Sequence, residues 1–313
     1  MQGNAVTIQF GILLHSNMPF TWAYEPAMHS SYRPVAEIAL SQDLPINFHW
    51  AGPLSQMMNW RHPEVIKTIQ EGIATEKFEL LGSAYAQNVM EITSDWANTE
   101  QIQYNREVLQ SIYGISPRGF WNPERVWDNR FAKLLVDNGY EHTLIERRIL
   151  NPENPESANR LYAQKMGTNM LRYLPDDQNA LSAFDTGIWT GDSSKIIQLL
   201  ERYQDEGRKQ VVYAQDTEAI GFWQIAHQKN PKVFQENFRT LLKALADNSW
   251  IEVSHLLDMA MDEPVMVDRL GKGQATWMED SVRVDGYRDY FRYLKESPEI
   301  HYYEEQYKWS RRA

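Results

Sequence analysis

The chain contains no cysteine among its 313 residues. That excludes a disulfide framework, a thiolate metal site and a cysteine nucleophile, and it suits a reducing, cytoplasmic setting. No stretch reaches the roughly 18 consecutive apolar residues of a membrane helix. The first residues pass into an apolar run without a basic segment, so no signal peptide is expected. Positive charge is scarce too: 31 Lys and Arg face 42 Asp and Glu, a net charge of −11. Nucleic acids and anionic membranes demand clustered cations, so neither is expected as a partner. Repeats and low-complexity segments are missing as well.

Aromatic residues, by contrast, are plentiful, with 11 Trp and 16 Tyr. Many must be core, yet aromatic planes also suit the apolar C–H faces of a sugar ring. Short apolar runs alternate with longer amphipathic ones, the pattern of parallel βα units rather than of a sandwich. Seven strands are predicted, at residues 6–14, 46–50, 78–81, 119–121, 143–146, 170–174 and 210–214. Helices are predicted at 63–74, 99–113, 129–138, 194–206 and 231–247. Pro63 and Pro231 suit first turns, Thr99 and Ser193 suit caps, and Gly114, Gly139 and Gly207 suit stops. Residues 151–192, where Pro, Asn and Asp cluster around one strand, read as a long excursion over the active-site face. A further run at 250–254 either closes an eighth stave or leads into an appendage. An α/β barrel commonly holds about 250 residues or more as one unit. The expected architecture is therefore α/β, a distorted (β/α)7 TIM-like barrel at 1–257 with a short C-terminal helical segment, 258–313, packed on it.

The chemistry is concentrated in Phe120-Trp121-Asn122-Pro123-Glu124-Arg125-Val126-Trp127. Proline fixes its own φ and pushes Asn122 toward extended backbone, so Glu124 should emerge where a strand stops, between the Trp121 and Trp127 rings. The plainer alternative is a glutamate capping the helix that starts near Asp128. A second apolar run, Val211-Val212-Tyr213-Ala214-Gln215-Asp216-Thr217-Glu218, also ends in acids. Glycoside hydrolysis needs two carboxyl groups, ~5 Å apart for retention and roughly 6.5–9.5 Å apart for inversion. His15, His49 with Trp50, Gly82, Glu124, Glu146 and Asp216 all stand at strand ends. In a (β/α) barrel they would converge on the C-terminal face, where such enzymes place their chemistry.

These residues resemble glycoside hydrolase family 57, whose members mostly act on α-glucans with retention on a (β/α)7 barrel. Phe10-Gly11-Ile12-Leu13-Leu14-His15-Ser16-Asn17-Met18-Pro19 is similar to the family's first motif, with Asn17 in place of a second histidine. Trp121-Asn122-Pro123-Glu124 matches its third motif, which implies Glu124 as nucleophile. Asp216-Thr217-Glu218 resembles its fourth, which implies Asp216 as acid/base. Phe78-Glu79-Leu80-Leu81-Gly82 is similar to the second motif and implies a substrate contact for Glu79, although the proline usual after that turn is absent. Trp277-Met278-Glu279-Asp280 stands where a fifth motif could close the cleft. His15, Asn17, Trp50, Trp121 and Glu218 are the other expected substrate contacts, with no metal or cofactor. The resemblance implies a retaining hydrolase or transglycosylase acting on an α-linked glucan or oligosaccharide.

Opposite protonation states are then required, Glu124 ionised and Asp216 protonated, with Arg125 or Tyr213 keeping Glu124 charged. His15 reads as a core histidine or a sugar contact, and His49 and Trp50 as packing under a loop or as binding residues. Glu146 reads as a salt-bridge partner of Arg147 or Arg148, and Tyr302, Tyr303, Tyr307 and Trp309 as a docking face. Two other functions compete: a catalytically silent carbohydrate-binding barrel, and a metal-dependent polysaccharide deacetylase. The deacetylase would need an Asp pair after the first strand and a His-x-x-x-His ligand set, which this sequence does not have.

Overall fold

The computed structural model describes residues 7–18, 22–151 and 153–273. The Pro19 turn, the Trp277-Met278-Glu279-Asp280 segment, the C-terminal aromatic cluster and the expected helical segment from 274 onward lie outside these residues.

The described strands are β1 (Ile8–Ser16), β2 (Ile46–Trp50), β3 (Phe78–Leu81), β4 (Gly119–Phe120), β5 (His142–Ile145), β6 (Tyr162–Met166), β7 (Asn169–Pro175), β8 (Gln210–Asp216), β9 (Ile251–Val253) and β10 (Val265–Val267). β1, β2 and β5 are buried at almost every position, as parallel strands covered on both faces must be. One sheet runs β3-β2-β1-β8 and the other β10-β6-β7-β5-β4. Single parallel bridges join them at both seams, Gly82 with Phe120 and Asp176 with Val212. The seven strands β1, β2, β3, β4, β5, β7 and β8 thus form a distorted closed ring of parallel staves. The seam beside β4 depends on glycine: a Cβ on Gly119 would lie 2.4 Å from His142 Nε2, and one on Gly82 would lie 2.2 Å from Tyr140 Oη.

The inside of the ring is apolar, with Leu13, Leu81, Leu144, Leu174, Val212 and Ala214 meeting Leu256 and Met259. Those last two residues plug the end where the strands begin: a Cβ on Gly11 of β1 would stand 2.7 Å from Leu256 Cδ2 and 2.8 Å from Met259 Sδ. Asn47 ties the plug down, donating to the Ile12 carbonyl at 3.0 Å and accepting from Leu256 N–H at 2.9 Å. Helices pack outside the ring in two further apolar layers.

All seven expected staves are present, with ends shifted by up to two residues. The run at 250–254 is β9, which pairs only with Ile8–Phe10 of β1, below the point where β2 begins to pair at Leu13. It therefore adds no eighth stave. The reading of 151–192 is corrected: this stretch holds an antiparallel β6–β7 hairpin and the helix Gln178–Thr190. Asp177 caps that helix, accepting from Asn179 N–H at 2.9 Å and Ala180 N–H at 3.0 Å. Gly167, at φ 62°, makes the hairpin turn. β10 then pairs with β6, so the first residues of the expected helical appendage include a strand. One cap differs: Ser94, not Thr99, caps the helix Asp95–Tyr113. Ser193 stands at the expected N-cap of the helix Ser194–Asp205, where the Asp192 carboxylate accepts the Ser194 N–H.

Candidate active site

Register brings the expected residues together at the C-terminal end of the ring. His15 of β1 pairs with His49 of β2 on one side and with Asp216 of β8 on the other. Trp121 follows β4 directly, and its indole stacks on the His15 ring with centroids 4.4 Å apart and an interplanar angle of 15°. A cavity of about 490 Å³ opens here, lined by His15, Asn17, Trp121, Glu124, Arg125, Glu146, Asp216, Glu218 and Trp223 among others. A second cavity, of about 590 Å³, lies where β8 begins, around Arg208, Lys209 and Gln210. The first is the candidate site, because barrels of this kind place reactive groups at strand C-termini.

Glu124 is displayed on strained backbone. It and Arg125 are two successive non-glycine residues in left-handed conformation, at φ 55° and 53°, each costing roughly 1–3 kcal/mol. The Arg125 side chain holds this turn in place: it pairs with Asp176, donates to the Ala214 carbonyl at 2.9 Å, and lies 5.2 Å over the Trp121 ring. The helix that follows begins at Arg130, whose N–H donates to Asp128 Oδ1 at 3.1 Å. Capping therefore does not explain Glu124.

Asp216 ends β8, and the residues after it are clamped to the end of β1. Ser16 Oγ and Thr217 Oγ1 share a hydrogen bond of 2.7 Å, and Ser31 Oγ donates to the Thr217 carbonyl at 2.5 Å. Glu218 Oε1 accepts from the Tyr32 hydroxyl and from Asn17 N–H. Glu218 Oε2 and Trp121 Nε1, both buried, have no hydrogen-bond partner among the described residues. Two polar atoms are thus left to hydrogen-bond a ligand bearing hydroxyl groups.

Asp216 holds its proton to higher pH than an ordinary aspartate. Burial pushes its carboxyl up to about 6, with Arg125 opposing and Asp185 adding to the rise. Glu124 is raised by burial and then by the charge of Asp216, against the pull of Arg125. Glu218 is raised to about 8 by burial and by Asp216. Arg125 thus acts on Glu124 as expected, but Tyr213 does not, because its hydroxyl donates to Asp185 at 2.9 Å. His15 is lowered to about 3 by burial and by Arg125, so it stays neutral.

Several expected contacts lie elsewhere. Trp50 is 1% exposed and packs on Phe48 and Tyr32, away from the cavity. Its side chain belongs to the outer core because it alternates with His49 on β2. Glu79 sits near the start of β3, at the opposite end of the ring, where it accepts from Leu257 N–H at 2.9 Å and lies 3.2 Å from His142 Nε2. A short strand places its second residue a full layer below the mouth. Trp127 is buried against Phe131 and Tyr173, so of the two indoles expected beside Glu124 Trp121 alone lines the cavity. Glu146 lines the cavity, and of the two arginines expected beside it Arg147 pairs with Asp177 and Glu156.

Sequence reasoning missed Asp176, Asp185 and Trp223. Leu174-Pro175-Asp176 repeats the apolar-run-then-acid signature of the other strand ends, a signal obscured by the loop reading of 151–192. Trp223, 38% exposed, stands at the cavity on the turn after Glu218.

Alpha-amylase 1 of Dictyoglomus thermophilum is 25% identical over 144 residues, 45% of this chain and 21% of that protein. The 4-alpha-glucanotransferase of Thermococcus litoralis is 24% identical over 223 residues, 69% of this chain and 33% of that protein. The crystal structure of the Thermococcus litoralis 4-alpha-glucanotransferase superposes with a TM-score of 0.74 at 19% identity, over 92% of this chain and 48% of that one. The chain therefore spans a third or less of the length of these two curated relatives. Its ring of seven staves is the (β/α)7 barrel of such structures. The model of glycosyl hydrolase family 57 matches residues 14–267, and the chain belongs to that family.

Proposed function

We propose that this protein is a retaining glycosidase or transglycosylase acting on an α-linked glucan or oligosaccharide, with Glu124 as nucleophile and Asp216 as acid/base. The observation that carries the reading is that two carboxyl groups from separate strand ends line one cavity beside the Trp121 indole, close enough for the charge of Asp216 to act on Glu124. Glu124 attacks the anomeric carbon as the bond to the leaving sugar oxygen breaks, and the Asp216 proton passes to that oxygen. The glycosyl ester so formed neutralises Glu124. Asp216, now a carboxylate, takes a proton from water or a sugar hydroxyl, whose oxygen attacks the anomeric carbon and releases Glu124. His15, Asn17, Glu218 and Trp121 contact the substrate, and Glu146 and Trp223 are added to that set by their place in the cavity wall. The net charge of −11 fits a neutral substrate, and the absence of cysteine supports a cytoplasmic setting.

The test is a product profile on maltoheptaose and glycogen for the wild type, Glu124→Gln and Asp216→Asn. Both variants should lose several orders of magnitude in turnover while keeping the wild-type circular dichroism spectrum. Wild-type rates in either variant would refute the assignment, and tight binding of malto-oligosaccharides with no product from the wild type would favour a silent binding barrel. Shortened chains identify hydrolysis, and lengthened ones identify transfer.

A further inference from the structure

A hydrogen-bond chain runs through the cavity wall behind His15, and its polarity can be worked out atom by atom. It starts at a backbone group: Ser83 Oγ donates to the Trp121 carbonyl at 2.7 Å, which leaves the hydroxyl only its lone pairs for other partners. Gln87 Nε2 lies 2.8 Å from that hydroxyl and 2.8 Å from the Ala84 carbonyl oxygen. Two acceptors around one amide atom identify it as the nitrogen. The same nitrogen is 3.4 Å from His49 Nε2. An amide NH2 has two protons for these three neighbours and no lone pair to accept with, so one proton is shared toward His49 and the ring nitrogen facing it is the bare one.

A neutral imidazole carries one proton, and on His49 it must then sit on Nδ1. That atom is 2.7 Å from His15 Nδ1. A bond between two such nitrogens holds a single proton, so His15 Nδ1 accepts and its own proton is on Nε2. Burial keeps both rings neutral, lowering His15 to about 3 and His49 well below its ordinary value, with the Arg125 charge as a second cause for His15. Among the described residues, His15 Nε2 meets no protein acceptor, and His15 lines the cavity.

We propose that Ser83, Gln87 and His49 are positioning residues that fix the tautomer of His15, so that it presents an Nε2–H donor to an oxygen of the bound ligand. Stacking on Trp121 holds the ring plane, and the chain settles which nitrogen carries the proton. A histidine free to choose its tautomer would offer donor and acceptor forms alike, and a sugar hydroxyl could meet either. The fixed donor selects an oxygen lone pair. The identity of the ligand as a sugar rests on the glycosidase reading; the tautomer assignment does not.

Long-range proton–nitrogen NMR spectra of the full chain labelled with 15N-histidine test the proposal directly, with His15→Gln and His49→Gln supplying the assignments. The wild type should show His15 protonated on Nε2 and His49 on Nδ1. In Gln87→Glu a carboxylate oxygen faces His49 Nε2 and demands a proton there, so both tautomers should invert and kcat/KM should fall roughly tenfold, the worth of one hydrogen bond. Gln87→Leu, which removes the polarity without reversing it, should give mixed tautomers and serves if the glutamate variant does not fold. A wild-type His15 protonated on Nδ1, or tautomers unmoved in the Gln87 variants, would overturn the proposal. Inverted tautomers in an inactive protein would uphold it and refute only the catalytic reading.

Discussion

Arg125 Nη2 donates to the carbonyl oxygen of Ala214 at 2.9 Å, two residues before Asp216 in β8. One guanidinium thereby couples the turn that displays Glu124 to the strand that displays Asp216, and its pairing with Asp176 adds the end of β7. The left-handed backbone of Glu124 and Arg125 persists because this clamp over-determines it.

Replacing Arg125 with Met should remove the clamp and cut kcat/KM by on the order of 100-fold, since a displacement of about 1 Å at a reacting group has that effect. The sign of the pH effect is also set. Arg125 lowers the Glu124 pKa, so its loss raises that value, and the ionised Glu124 that the proposed reaction needs then requires a higher pH. The acid limb of the kcat/KM profile should move upward in pH. An acid limb left in place, with turnover intact, would show that Arg125 does not act on Glu124.

Asp216 should govern the alkaline limb and a pH-dependent share of stability. Its carboxyl sits at about 6 in the fold against an ordinary 3.8, chiefly through burial. The folded protein therefore holds this proton more tightly than the unfolded chain. Stability falls as pH rises from about 3.8 to about 6 and stays reduced above that, where the fold carries a buried charge. Asp216→Asn should raise Tm at pH 8 and leave it nearly unchanged at pH 3.5, while wild-type activity declines as pH rises through about 6. Calorimetry at the two pH values checks the first expectation. A lower Tm for the variant at pH 8 would contradict it.

Trp50 and Trp121 should separate stability from activity. Trp50 is enclosed by Phe48 and Tyr32, so Trp50→Ala should cost about 3–5 kcal/mol in urea unfolding and leave kcat/KM of the folded fraction near the wild-type value. Trp121→Ala should lower kcat/KM sharply, because that ring lines the cavity and braces both His15 and Arg125. Reversed behaviour would exchange their roles.

Trp223 is half-exposed at the cavity, a placement suited to stacking on a sugar ring beyond the reacting one. Trp223→Ala should raise KM for maltoheptaose about tenfold, equivalent to roughly 1.4 kcal/mol, and alter KM for a nitrophenyl α-glucoside much less. Equal changes for both substrates would place the ring at the reacting sugar instead.

Strand ends were legible because each pairs an apolar run with polar residues where the run stops, as in Leu14-His15, Ala214-Gln215-Asp216 and Trp121-Asn122-Pro123-Glu124. The hairpin and helix within 151–192 were not, because Gln164 and Lys165 interrupt the apolar pattern of β6, and Asp176 and Asp177 read as loop residues. Their meaning lies in distant partners: Asp176 takes Arg125, and Asp177 takes Arg147 and Arg208. Trp50 and Glu79 were misplaced for a related reason. Alternation along a strand says that neighbours face opposite ways, but not which face is the cavity or how deep each layer lies.

By itself the sequence determined the βα alternation, the seven staves and the two acids at their ends, since these follow from periodicity and from what proline and strand termini do locally. Only the tertiary structure decided which residues meet. Ring closure at the Gly82–Phe120 and Asp176–Val212 bridges brings β4 and β8 to one mouth, and the Arg125 clamp aligns their acids there. The physical reason is one of range. Backbone preferences act over a few residues, whereas burial, charge coupling and register act between groups that the chain separates by up to about 200 positions, such as Ser16 and Thr217.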